Sequence, residues 1–228
     1  MNKPTNNVPQ PKLARAHANW YHSYADIVLM LLSVIQGFAF QELATRSKNI
    51  LPLIGSEPLL VMHVLLCFVI IIRVFQTVLT ATIDYGIRIV SFIDIPVIFG
   101  IGLLQYCLFS ALGNPLAGPG EVFNVKQFYT YMVILLVISG IKYTINTAQI
   151  NPDLYPAPEA LLKEKVLQWQ NSLGSLLLAG ICLLPLKFET SAWPLWIASI
   201  SSILVVTWQT YNSLRKTFSL RLASRQVN

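Results

Sequence analysis

From Leu59 to Ala81 the chain runs for twenty-three residues with one charged side chain, Arg73. A helix rises about 1.5 Å per residue, so about 20 mostly apolar residues cross the ~30 Å hydrocarbon core of a bilayer. In lipid every backbone N–H and C=O must be satisfied within the segment, which leaves a helix as the form for such a run. Five further runs repeat the pattern, in whole or in part. The chain has 228 residues, of which 54% are hydrophobic and only 11% charged, with mean hydropathy +0.58. Soluble domains carry about 25% charged residues. This chain has too few charges to cover a water-facing surface.

The runs lie at 24–40, 59–81, 89–112, 128–148, 173–186 and 193–211. They predict an all-α, polytopic transmembrane helix bundle of about six spans at 24–211, with a basic segment at 1–23 and a basic tail at 212–228. The fifth run is short and carries Pro185. Only "KFETSA" separates it from the sixth, which reads as a tight helical hairpin. "GNPLAGPG" after the third run stops a helix through its Gly and Pro density. Aromatic residues sit at the run ends, among them Trp20, Tyr21, Phe128, Tyr129, Trp169, Trp193 and Trp208, as an interfacial belt requires.

Of the sixteen Lys and Arg residues, ten fall on the side shared by both termini and four on the other. Cytoplasmic loops carry the excess of basic residues, so both termini are expected in the cytoplasm, with the bundle in the plasma membrane. Arg215, Lys216, Arg221 and Arg225 form an acid-free tail. Beside membrane spans such a tail is suited to anionic headgroups. No aromatic-interleaved basic surface points to nucleic acid. The connection "NPDLYPAPEALLKEKVLQWQN" opens on three prolines and then reads as a helix near 157–170. Pro158 suits a first helical position. Two forms fit: an amphipathic helix in the interface, or an extension of the fifth span.

Depth arithmetic groups the buried charges. Arg73 lies fourteen residues into the second run and Lys142 fourteen into the fourth, each about 21 Å from the outer boundary. Asp94 lies early in the third run and Asp26 early in the first, so all four share an inner-leaflet layer. Asp84 and Arg88, four residues apart in the loop below, can pair on a helix. A charge at mid-membrane costs roughly 2.5–3.5 kcal/mol on insertion scales. Pairing Arg73 with Asp94, and Lys142 with Asp26 or Asp94, would offset much of that. Gln76, Thr77 and Thr80 extend the face of Arg73; Ser139, Asn146 and Thr147 extend that of Lys142. The layer Asp26, Arg73, Gln76, Asp94, Lys142 and Asn146 is therefore the candidate site. It is either a dry packing network or a hydrated vestibule. Thr207, Gln209, Thr210 and Asn212 in the sixth run either extend it or mark a helix end.

In the outer half, Gln36, His63 and Gln105 can hydrogen-bond across helices. Cys67, Cys107 and Cys182 each lie in an apolar run and read as small hydrophobes. Neither they nor His63 supplies a metal set, and no cofactor is implied. No Gly-x-Ser-x-Gly, His-x-x-x-His or carboxylate cluster marks an enzyme. The expected function is that of a non-enzymatic membrane component: an accessory, sensor or effector subunit working through a protein partner or as a homo-oligomer. A small channel or transporter around Arg73, Asp94 and Lys142 is the alternative.

Overall fold

The computed structural model describes residues 12–53, 55–83, 94–113, 123–150, 158–188 and 191–226. Its side chains are described at 27, 30–53, 55–77, 96–113, 123–150, 158–188 and 191–215. These residues are helical apart from short turns and connections, with no strand among them. The elements are α1 (Lys12–Ile50), a 3-10 turn (Leu51–Leu53), α2 (Pro58–Ile83), α3 (Asp94–Ser110), α4 (Val125–Ala148), α5 (Pro158–Cys182), α6 (Leu184–Lys187) and α7 (Ala192–Gln226).

Among the described residues four stretches are long and apolar enough to cross a membrane: Pro58–Thr77, Val125–Ala148, Pro158–Lys187 and Ala192–Arg215. They correspond to α2, α4, α5 with α6, and α7. Pro96–Ser110 of α3 is apolar but shorter.

Helix ends follow local chemistry. Pro58 opens α2 at a position where its missing N–H is not needed. Asn124 caps α4, its Oδ1 accepting from the Gln127 N–H at 3.0 Å. Gly113 ends the α3 region at φ 72°, a left-handed conformation that glycine adopts without a Cβ clash. Pro185 stands in the first turn of the short α6, which turns the chain from α5 into α7.

One helix outruns the sequence reading, and a second takes one of the two forms that reading left open. The sixth run was expected to end near 211, but α7 continues to Gln226. Its only proline, Pro194, lies in the first turn, and no glycine follows. The segment near 157–170 is not a separate interfacial helix: it forms the first half of α5, continuous with the fifth run. No proline interrupts residues 159–184, so the helix carries through.

Neighbouring helices close into a cycle, α1–α3–α4–α5–α7–α2 and back to α1. This is two facing layers, α1–α2–α7 over α3–α4–α5. In the middle, α2 and α4 are joined mainly by long side chains. Elsewhere backbones approach closely. A Cβ on Gly140 of α4 would lie 2.8 Å from Leu176 and 3.3 Å from the Ser172 carbonyl of α5. Ser172 donates to the Gly140 carbonyl at 2.9 Å, and Thr144 meets Ser172 at 2.8 Å. Small residues that admit close approach, with hydroxyls bonding across, are the means by which helices associate in lipid.

The surface of the described helices is largely apolar. Met30, Val34, Phe38, Phe75, Phe99, Leu103, Leu162, Leu177 and Leu204 are exposed. Buried instead are Gln36, His63, Arg73, Gln76, Gln105, Asn146, Glu164, Gln168, Asn171, Gln209 and six serines. Polarity is inverted relative to a water-soluble fold.

Candidate functional site

Arg73 is the hub of the interior. It is 7% exposed. Its Nη1 donates to Gln76 Oε1 at 3.2 Å, to the Gln209 carbonyl at 3.1 Å and to Ser213 Oγ at 2.9 Å. Its Nη2 donates to the Tyr143 hydroxyl, and the guanidinium carbon lies 5.6 Å from the centre of the Tyr143 ring. The expected partner, Asp94, opens α3 with its side chain outside the described set. The charge is surrounded by neutral oxygens and an aromatic face from α4 and α7. A bound guanidinium is thus solvated by the protein, and three helices are fixed to one another around it.

Gln209 extends this hub to a fourth helix. Its carbonyl accepts from both Arg73 and Ser213. Its Nε2 donates to the Asn171 carbonyl at 3.1 Å and to Ser175 Oγ at 3.4 Å on α5. Of the two readings of the polar end of the sixth run, Gln209 therefore satisfies the one that extends the layer.

A second polar centre lies about ten residues along α2, on the order of 15 Å away. His63 is fully buried. Its Nδ1 donates to the Leu59 carbonyl at 2.7 Å. Its Nε2 faces the Tyr129 hydroxyl at 2.9 Å and Ser199 Oγ at 3.3 Å. Tyr129 and Ser199 are 3.1 Å apart. The rings of Phe123 and Phe128 pack against the imidazole, with centroids 4.6 and 4.9 Å away. A hydroxyl beside an imidazole is a nucleophile–base arrangement in outline. Here the group is sealed by aromatics, and Tyr129 shares the same nitrogen. It works as a latch joining α2, α4 and α7.

The third feature is the inner face of α5. Glu164, Gln168, Asn171 and Ser175 recur at i, i+4, i+7 and i+11, and all are buried. Gln168 Nε2 donates to Glu164 Oε1 at 2.8 Å. Gln168 Oε1 and Asn171 Oδ1 have no hydrogen-bond partner. An unmet buried acceptor costs about 1–3 kcal/mol. On α7 the matching seam is Ser199, Ser202, Val206, Gln209 and Ser213. Cys182 meets Ser202 at 3.6 Å where the two seams run together.

Of the expected layer, the structure unites Arg73 and Gln76. Asn146 is buried on the same helix as Tyr143, whereas Lys142 is half-buried. Asp26 lies within α1 and Asp94 opens α3, with side chains outside the described set; Asp84 and Arg88 lie outside the described residues. Arg215 is exposed on α7, while Lys216, Arg221 and Arg225 continue that helix with side chains outside the described set. Gln36 and Gln105 do meet, Gln36 Nε2 donating to Gln105 Oε1. Sequence reasoning missed Tyr143, Tyr129, Ser199, Ser213 and the α5 face. Their 3–4 spacing on α5 and α7 was the available signal.

Among the described residues no three His, Cys, Asp or Glu side chains gather into a metal site. No protein family, no curated protein and no solved structure matches this chain. The functional reading therefore rests on the side chains themselves.

Proposed function

We propose that this protein is a non-catalytic, multi-pass component of the plasma membrane that acts as an accessory, sensor or effector subunit, through a partner or through copies of itself. The observation that carries this reading is the use made of Arg73. Its hydrogen bonds are committed to neutral groups on α2, α4 and α7. A charge committed in this way fixes helices rather than meeting a moving ion. In this reading α1 and α3 are also spans, giving six, with both termini cytoplasmic. Support comes from the apolar side chains they expose, Met30, Val34 and Phe38 on α1 and Phe99 and Leu103 on α3. The basic end of α7, from Arg215 to Arg225, then meets anionic headgroups, and no nucleic acid is involved. The test is the mass of the complex purified in several mild detergents, with crosslinking in the native membrane. A stable oligomer or a stoichiometric partner is expected. Monodisperse, partner-free monomer throughout would overturn the reading.

One observation favours a channel or transporter instead. The middle of the bundle, between α2 and α4, is bridged by polar side chains at two levels rather than by close backbone packing. Flux into liposomes that falls with Arg73→Ala would support this alternative. No flux of common ions and solutes would remove it.

A further inference from the structure

Side-chain hydrogen bonding divides the bundle into two bodies. The bonds of Gln36, Glu42, Gln105 and Ser110 all stay within the α1–α3 pair. Gly102 lets the two backbones close up there, since a Cβ on it would run into Ile35. The bonds of His63, Arg73 and Gln209 all stay within α2, α4, α5 and α7. At the seam between the bodies Phe40 of α1 stands edge-on to Phe68 of α2, with ring centres 6.4 Å apart. Lipid tails are as apolar as such a seam, so contact across it gains little over contact with lipid. Close packing and hydrogen bonds are what hold helices together in a bilayer.

The packing that the seam does have lies at one end. To the common core α1 gives Ala39, Leu43 and Ile50, and α3 gives Leu108, Phe109 and Leu112. Two links between the bodies leave from that same end. One is the turn Leu51–Leu53, closed by the Glu57 N–H donating to the Leu53 carbonyl at 2.7 Å. The other runs from Gly113 to Asn124, whose N–H donates to the Ala111 carbonyl at 2.9 Å. At the opposite end Leu32 is buried yet stands outside the common core, and Met30, Val34 and Phe99 are exposed. Hinges are a few residues at element ends that absorb the backbone change. We propose that the α1–α3 pair is a lateral gate. It is an arm that pivots at the end holding Ile50 and Gly113 and swings away from α2 and α4 at the end holding Met30. From Ile50 to Met30 the arm measures about 30 Å, so a tilt of about 10° moves its far end by about 5 Å. The pair closes one side of the bundle's middle, and the swing uncovers the gap between α2 and α4 that Arg73 and Tyr143 bridge. The inference goes beyond both readings of function: a subunit uses the two positions as signalling states, a transporter as closed and open, and the pivot is the same.

The test uses the full-length protein with pairs of nitroxide labels, in micelles and in lipid nanodiscs, with distances read by pulsed electron resonance. Met30→Cys with Tyr211→Cys reports the far end, and Lys48→Cys with Ile197→Cys the pivot end. Ile145→Cys with Tyr211→Cys reports the four-helix group alone. All these side chains are exposed. Cys107 is replaced by alanine, while the buried Cys67 and Cys182 stay. The far-end pair is expected to show two distances about 5 Å apart, and the other two pairs one narrow distance each. Should the far-end variant fail to fold, Val34→Cys with Leu214→Cys, exposed at the same end, takes its place. A single narrow distance at the far end in both media, or an equal spread at the pivot end or within the four-helix group, would overturn the gate.

Discussion

In the α1–α3 pair a single amide–amide hydrogen bond, Gln36 to Gln105, crosses the helices, and each amide keeps one unpartnered atom. Below it Glu42 accepts from Arg46 at 2.9 Å and from Ser110 at 3.0 Å. In the α2–α4–α5–α7 group three polar side chains instead each serve several helices. Arg73 reaches α4 and α7, Gln209 reaches α2 and α5, and His63 reaches α4 and α7. The four helices that share these hubs are those that, among the described residues, are long and apolar enough to span. Where a helix already satisfies the bilayer by its length and apolarity, association needs another source of specificity, and buried polar groups supply it. The pair is held by local fit, the group by a network. Substitutions in the two regions should therefore differ in reach.

Arg73→Ala is the largest expected effect. It removes four hydrogen bonds, averaging about 0.6 kcal/mol each in membranes, and leaves a cavity, for a loss of about 3–4 kcal/mol. Denaturant titration in micelles measures it. A double-mutant cycle with Tyr143→Phe should return a coupling of about 1 kcal/mol; no coupling would mean the network is only apparent. Gly140→Ala comes next, at about 2 kcal/mol, because the added methyl meets Leu176 and the Ser172 carbonyl. Its partner in the comparison is Gly102→Ala. A Cβ there runs into Ile35 Cγ2, so α3 must shift on α1. Limited proteolysis should find the α1–α3 pair loosened while the four-helix group melts as before. Loss of both regions together would break the distinction. Tyr129→Phe should cost about 1 kcal/mol by unlinking His63. The smallest effect is expected from Gln36→Leu with Gln105→Leu. Both partners become apolar, so the double variant should lie within about 0.5 kcal/mol of the parent while either single change costs more.

The architecture was legible in the sequence to the extent that apolar length decides it. The depth arithmetic that set Arg73 level with Lys142 found the right height on α4. The side chain that bonds Arg73 there is the neighbouring Tyr143, with Lys142 half-buried beside it. Charge drew attention to the lysine, whereas a tyrosine at a membrane position reads as belt. The inner face of α5 was hidden for a related reason. Glu164 and the flanking lysines left 157–170 open between an interfacial helix and an extension of the fifth span, and neither form told which of its polar residues face inward. Which face is inside depends on neighbours that one sequence does not reveal. The heptad-like recurrence of Ser199, Ser202, Gln209 and Ser213 was present, but small hydroxyls carry little weight in a hydropathy reading. Gln36 and Gln105 were found because each is the largest polar interruption of its run.

Arg73 and its acceptors are far apart in the chain. The Gln209 carbonyl lies 136 residues downstream and the Ser213 hydroxyl 140. At about 5–20 residues per second of synthesis, roughly 7–28 s pass between the making of α2 and the making of its partners. During that interval the guanidinium has neither acceptor from α7, and α2 is a membrane segment carrying an incompletely solvated charge. Such a segment is what membrane quality control detects. The last helix to emerge thus decides whether the second is retained, and a chain truncated before residue 209 should be degraded even though most of its spans are complete.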